Sequence, residues 1–381
     1  MHTVRAAAEH LRDLEPYDPR YLSARIGLNA NENPYGMPAA AKLALKNALD
    51  SEPLYRYPDP LGLELCTALA HRLDVPRACV VLGNGGDELL FNLCLAYGGA
   101  GRTVLTAPPT FSAYHTNAVL TRTALLEVPR ASGISPEGLL DFRVHEEAIL
   151  QQLSASNPDL VVLTSPNNPT GDCLTLSFIQ ELLDATDAVV LIDQAYVEFA
   201  HPSYDATPLL RNNANLALLR TFSKAYGLAG LRIGYLVASE EIAGELRKVR
   251  QPYSVDTLAA LAALAALEEE AETLAAIAHS NSERERVAKA LGQLGLGLFV
   301  APSEANFLLF RVPAAHEVWQ RLYDGYGILV RDLSLMPGLA SCLRVSMGTP
   351  QENDAFLEAL ATILSKDQAT APPSAALDTP A

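Results

Sequence analysis

Lys224 is a residue whose position could give it nucleophilic chemistry. It lies in Thr221-Phe222-Ser223-Lys224, at the end of a β-rich run from Leu216 to Thr221, and Arg232 follows eight residues later. A lysine at a strand end in a cleft can be desolvated, which lowers its pKa and makes its amine a nucleophile or Schiff-base former. A solvated surface lysine is the plain alternative. Ser223 and Arg232 are natural phosphate ligands. Asp193 closes the run Ala188-Val189-Val190-Leu191-Ile192, with Tyr196 three residues on. A carboxylate there is either a cap or a partly buried group in need of a cation or donor. Ser165-Pro166-Asn167-Asn168-Pro169-Thr170-Gly171 makes a rigid turn that could aim the Asn168 amide at a ligand oxygen. In Pro108-Pro109-Thr110-Phe111-Ser112-Ala113-Tyr114, Phe111 is a packed loop aromatic or a stacking face for a planar ring. Gly83-Asn84-Gly85-Gly86-Asp87-Glu88 is either an anion cradle of backbone N–H groups or a tight turn capped by Asp87. It is not a Walker loop, since no Gly-Lys-Ser/Thr follows.

The elements that must position these residues alternate. Short β-rich runs occur at Cys79–Gly83, Thr103–Ala107, Ala124–Val128, Leu160–Ser165, Ala188–Asp193, Leu216–Thr221 and Ile233–Ala238, with helical stretches such as Glu88–Tyr97 and Leu176–Ala185 between several of them. Uniformly apolar stretches such as Val161-Val162-Leu163 suit strands covered on both faces. The alternation predicts an α/β fold with a mostly parallel sheet, and such sheets bind ligands beyond the carboxyl ends of their strands. Every candidate above lies on that side. Leu258 to Ala278 is rich in Ala, Leu and Glu and is expected to form one long helix leading into a smaller α+β unit. That unit would use runs at Phe307–Val312, Ile328–Val330 and Leu343–Ser346. The expected division is an N-terminal arm over 1–53, a large domain over 54–256, a linking helix and small domain over 257–366, and a disordered tail over 367–381.

Composition narrows the partners. Among 381 residues, 49% are hydrophobic and 19% charged, which excludes disordered, collagen-like and coiled-coil chains. The net charge of −16 argues against a nucleic-acid partner, which demands a basic surface, but not against a local pocket for a small anion. Five scattered cysteines without a C-x-x-C pair read as reduced core thiols. The start carries charges throughout without an apolar core, and no Leu/Ala run approaches the roughly 20 residues of a membrane span. A cytoplasmic protein with no membrane partner and no metal is expected.

Taken together, an anion cradle, a stacking aromatic, an Asn and a Tyr, a buried Asp, and a Lys flanked by Ser and Arg are what a phosphorylated pyridine aldehyde needs. The order Asn168-Pro169-Thr170-Gly171, Asp193-x-x-Tyr196, Ser223-Lys224 and Arg232 resembles the fold-type-I, class II aminotransferases that use pyridoxal 5'-phosphate, from about Tyr17 to about Ser365. Leu28-Asn29-Ala30-Asn31-Glu32-Asn33-Pro34-Tyr35-Gly36, Arg56-Tyr57-Pro58-Asp59 and Cys342-Leu343-Arg344-Val345-Ser346-Met347-Gly348-Thr349 are similar to the histidinol-phosphate branch. The resemblance implies a seven-stranded large domain with a smaller C-terminal α+β domain. It implies that Lys224 carries the cofactor and shuttles the proton, with Asp193 paired to the pyridine nitrogen. Asn168 and Tyr196 would bond the ring oxygen, and Phe111 would stack. Gly86, Asp87, Thr221, Ser223 and Arg232 would hold the phosphate. Arg331 and Arg344 would grip the substrate's phosphate and carboxylate, with Tyr17, Asn31 and Tyr57 as further pocket residues. Tyr57 would act in the neighbouring subunit's site, so a homodimer is implied. Two positions depart from the family pattern: Gln194 stands where Glu is frequent and is expected to face away from Asp193, and Phe111 stands where Tyr is frequent. The implied reaction is amino transfer between L-histidinol phosphate and 2-oxoglutarate. An aromatic amino acid aminotransferase or threonine-phosphate decarboxylase on the same scaffold is the alternative, and a non-catalytic cofactor-binding regulatory module is a remote one.

Overall fold

The computed structural model describes residues 4–15, 22–295 and 297–370. The chain begins with β1 (Ile26–Leu28), α1 (Ala39–Ser51), α2 (Leu63–Leu73), β2 (Val80–Gly83), α3 (Gly85–Tyr97), β3 (Thr103–Thr106), α4 (Ala113–Thr121) and β4 (Ala124–Glu127). It continues through β5 (Gly133–Ile134), β6 (Leu140–Asp141), α5 (Glu146–Ser156), β7 (Leu160–Thr164), α6 (Leu176–Asp184), β8 (Val189–Asp193), β9 (Leu216–Thr221), β10 (Gly234–Ala238) and α7 (Glu240–Val249). The last part comprises α8 (Thr257–Glu268), α9 (Ala271–Leu294), β11 (Phe299–Val300), β12 (Phe307–Arg311), α10 (Ala315–Tyr326), β13 (Ile328–Asp332), β14 (Cys342–Ser346) and α11 (Pro350–Thr370).

Seven strands form one sheet in the order β2-β10-β9-β8-β7-β3-β4, in which only β10 runs antiparallel to its neighbours. The uniformly apolar strands are covered on both faces, as their composition predicts. Alternate residues of β7 part company: Leu160 and Val162 join the core under α3, α4 and α7, while Val161 and Leu163 join the one under α5 and α6. This period of two decides the site, because Val189, Leu191 and then Asp193 must face the α3/α4 side. A second sheet, β1-β13-β14-β12-β11, wraps its own core around Phe310 and Phe356. Its edge strand β1 comes from the N-terminal segment and pairs in parallel with β13.

Two expectations need correction. The stretch from Leu258 to Ala278 is two helices, broken at Glu269 (φ −119°, ψ 69°). Glu268, Glu269 and Glu270 place three negative charges where a helix carboxyl end is already negative, and Glu270 is held instead by Arg72. α11 also runs on through Asp367–Thr370, since the first proline of the expected tail is Pro372. The rest of that tail, residues 371–381, lies outside the described residues.

Candidate active site

The carboxyl ends of the parallel strands converge on a cavity of about 740 Å³. Asn31, Gly86, Asp87, Phe111, Asn168, Asp193, Tyr196, Thr221, Ser223, Lys224, Arg232, Arg331 and Arg344 all line it. Tyr57 does not. It is 80% exposed and stacks on Tyr253 at 4.6 Å. Tyr17 lies outside the described residues.

The anion cradle is built by backbone. Gly85 adopts φ +76°, and a Cβ there would stand 2.6 Å from the Arg232 guanidinium. Glycine thus lets α3 begin directly against the arginine. Glu88 accepts the Asn84 N–H at 2.5 Å, and no side chain caps the start of α3. The N–H groups of its first turn, from Gly86 and Asp87, are left to a ligand. Arg232 donates to Asp87 at 3.1 Å. Thr221 gives its hydroxyl proton to Ser223 Oγ at 3.0 Å, so the Ser223 proton is available to the cavity. These donors suit a phosphate-sized anion.

Lys224 Nζ donates to the Ala30 carbonyl at 3.0 Å and stands 5.9 Å from the Tyr196 ring centre. Burial lowers its pKa to about 8, helped by Arg344 and opposed by Glu32 and Asp87. Asp193 is buried. Its Oδ2 accepts from the Tyr114 hydroxyl at 2.7 Å and its Oδ1 from the Ala195 N–H at 3.0 Å. Desolvation raises its pKa to about 6, with these two donors pulling the other way. Tyr196 accepts from the Asn31 amide at 2.9 Å, which leaves the tyrosine proton to donate elsewhere.

Asn31, expected as a pocket residue, spends its own groups on the frame. Besides Tyr196, its Oδ1 and its N–H both meet the Ser346 hydroxyl, and its carbonyl accepts from Asn306. Arg344 donates to the Asn168 Oδ1 and the Asn29 carbonyl, so Asn168 keeps its Nδ2 for a ligand. Arg331 and Arg344 are direct partners across β13 and β14. Opposed residues of an antiparallel pair share a face, so two like charges sit side by side above the cavity. Gln194 turns away from Asp193, accepting from Arg220 and donating to the Tyr204 carbonyl. Phe111 keeps its place on the cavity wall, edge-on to Tyr114 at 5.8 Å.

Sequence reasoning missed Tyr114, Glu32 and the carbonyls of Asn29 and Ala30. Tyr114 had a signal: it stands three residues after Phe111, in the first turn of a helix that follows a strand end. Among the described residues, no group of His, Cys, Asp and Glu is arranged to hold a metal, and no helix is long and apolar enough to cross a membrane.

Comparison with known proteins extends these observations. The model of the family "Aminotransferase class I and II" matches residues 24–360. "Histidinol-phosphate aminotransferase 1" of Carboxydothermus hydrogenoformans is 39% identical over 365 residues, covering 96% of this chain and all of the relative. Histidinol-phosphate aminotransferase of Chlorobium phaeovibrioides is 39% identical over 93% of this chain and 95% of its own. The crystal structure of histidinol-phosphate aminotransferase from Sinorhizobium meliloti, in complex with pyridoxal-5'-phosphate, superposes with a TM-score of 0.86 at 25% identity, covering 96% of this chain and 99% of that one. L-threonine-O-3-phosphate decarboxylase from Porphyromonas gingivalis gives 0.76 at 28% identity over 89% of this chain and 99% of its own.

Proposed function

The chain belongs to the class I and II aminotransferase family, and from that premise we propose that it is a pyridoxal 5'-phosphate-dependent transaminase moving the amino group of L-histidinol phosphate to 2-oxoglutarate. The observation that carries the chemistry is one cavity that joins a lysine lowered to about 8, a buried carboxylate and an open helix start beside Arg232. The residues fit the cofactor. Arg232, Ser223 and the N–H groups of Gly86 and Asp87, with Thr221 behind them, would hold its phosphate. Asp193 would face its ring nitrogen, the Asn168 Nδ2 and the Tyr196 hydroxyl would face its ring oxygen, and Phe111 would cover its face. When bound, the cofactor supplies an electron-withdrawing ring and a carbonyl carbon that takes up the amino group. Lys224 Nζ, unprotonated in a sizeable fraction at neutral pH, accepts a proton from the substrate carbon and returns it. Arg344 and Arg331 bind the anionic ends of the two substrates, for which guanidinium forks are suited.

The choice of amino donor rests on the full-length relatives. The decarboxylase neighbour keeps a second reading open, threonine phosphate as substrate with loss of carbon dioxide. Single-turnover spectra with histidinol phosphate, phenylalanine and threonine phosphate separate the readings. Fastest conversion of the cofactor by histidinol phosphate is expected, and a preference for either competitor overturns the assignment. A homodimer is part of the proposal. It is supported by the exposed apolar run of Leu49, Leu54, Tyr55, Tyr57 and Leu61, which a second copy would cover while bringing Tyr57 towards the other site. A cytoplasmic location is supported by five cysteines that form no disulfide.

A further inference from the structure

Behind Asp193 lies a chain of hydroxyls that the reaction itself does not use. The register places Thr164 directly beside Asp193 on neighbouring strands, and α4 lays Tyr114 across both. The Tyr114 oxygen is 2.7 Å from Asp193 Oδ2 and 2.6 Å from Thr164 Oγ1. Thr164 Oγ1 is 3.2 Å from Thr110 Oγ1, which donates to Asn167 Oδ1 at 2.7 Å. The Asn167 amide is oriented by its other end, where Nδ2 donates to the Pro109 carbonyl at 3.0 Å. Tyr114, Thr164 and Asp193 are all buried.

Each hydroxyl has one proton, which fixes the bookkeeping. An ionised Asp193 only accepts, so Tyr114 must donate to it and Thr164 must donate to Tyr114. Thr110 has already given its proton to Asn167, so the Thr110–Thr164 contact then carries none. A protonated Asp193 reverses the run: Asp193 to Tyr114, Tyr114 to Thr164, Thr164 to Thr110, with every contact bonded. The charge of Asp193 and the direction of two hydroxyls are therefore coupled, and Tyr114 is the link. Its hydroxyl is the donor to Oδ2 when the carboxylate is charged.

We propose that Tyr114, backed by Thr164, is a positioning residue that holds the Asp193 carboxylate charged and in place, and so sets how tightly the pocket keeps a protonated pyridine ring. This rests on the cofactor reading above. Tyr114→Phe keeps the ring that packs on Phe111 and removes only the hydroxyl.

The test measures the dissociation constant of pyridoxal 5'-phosphate, and the visible band of the bound form at fixed pH, for the full chain and its variants. Tyr114→Phe should weaken binding roughly ten- to hundredfold, the range for a lost hydrogen bond to a charged group, and shift the band. Thr164→Val should weaken it less, in the same direction. In an Asp193→Asn background, either variant should change binding several-fold less than it does beside Asp193, because the amide oxygen can still accept but carries no charge to hold. Unchanged binding and band in Tyr114→Phe, or an equal loss with and without Asp193, overturns the proposal. Should Tyr114→Phe fail to fold, Thr164→Val in the two backgrounds decides by the same criterion. A wild-type chain that does not bind the cofactor refutes the functional reading instead, and the proposal falls with it.

Discussion

The lowered pKa of Lys224 can be moved in either direction by choosing the neighbour to neutralise. At pH 7.5 a lysine at 10.5 has about one amine in a thousand unprotonated, whereas one at about 8 has about one in four. The site thus gains about two hundredfold in reactive amine. Burial is the main cause and Arg344 the next, while Glu32 and Asp87 oppose them. Arg344→Gln should therefore raise the midpoint, short of the ordinary value because the burial remains. Glu32→Gln should lower it further, by less and with an effect that fades in salt, since Glu32 is exposed. The assay is the rate at which pyridoxal is captured on the cofactor-free protein, trapped by borohydride and read by mass on the Lys224 peptide between pH 6 and 10. Below the midpoint the rate climbs tenfold per pH unit and above it levels off. Each half unit of upward movement lowers the rate at pH 7 about threefold. A wild-type midpoint near 10.5, or a midpoint that falls in Arg344→Gln or rises in Glu32→Gln, would refute the reasoning.

Three further outcomes are expected. Gly85→Ala forces a Cβ to within 2.6 Å of the Arg232 guanidinium from a backbone at φ +76°; dialysis should show at least tenfold weaker cofactor binding, with inorganic phosphate competing against the cofactor in the wild type and much less in the variant. Asn31 sits at φ 55°, so Asn31→Gly deletes its amide without backbone strain. If that amide serves Tyr196, kcat should fall about tenfold with KM for the amino donor little changed, and the reverse pattern would mean that Asn31 grips substrate directly. Glu198 is half-buried, with Oε2 shielded from solvent and unpartnered and its pKa raised to about 7, chiefly by desolvation. Between about pH 4.5 and 7 the folded chain holds this proton and the unfolded chain does not, so stability falls as pH rises, at up to about 1.4 kcal/mol per pH unit. Glu198→Gln should remove that slope, and denaturant titrations of both proteins at pH 5 and 7 check it.

Much of this was legible because it depends on local chemistry. Uniformly apolar runs gave the large sheet, and the polar residue that ends each run named the ligand side. Period two gave the orientation of Gln194 away from Asp193. What was not legible depends on register or distant pairing. Arg331 and Arg344 become neighbours only once β13 and β14 are aligned. Asn31 meets Ser346 across 315 positions, and nothing local to Asn-Glu-Asn-Pro announces it. In the sequence Tyr114 is only the end of a loop string, because its importance lies in one hydroxyl and not in its type. The break at Glu269 is masked in the sequence because Ala and Leu dominate the window while three adjacent carboxylates decide it.

The cationic cluster explains how an acidic chain can hold small anions. Lys224, Arg232, Arg331 and Arg344 share one cavity in a molecule of net charge −16, and like charges so placed repel. Two of the four are steadied by neutral acceptors. Lys224 is steadied by the Ala30 carbonyl, and Arg344 by the Asn29 carbonyl and the Asn168 amide oxygen. These acceptors orient the cations but carry no charge to neutralise them. Arg232 has a carboxylate partner, Asp87, at a half-exposed pair where the attraction is weak. Two of the steadying carbonyls and the amide on Tyr196 come from consecutive residues, Asn29, Ala30 and Asn31. β1 fixes that segment by adding itself to the small sheet beside β13, the strand that carries Arg331. The three-residue edge strand is thus what ties the lysine, the tyrosine and both arginines into one geometry.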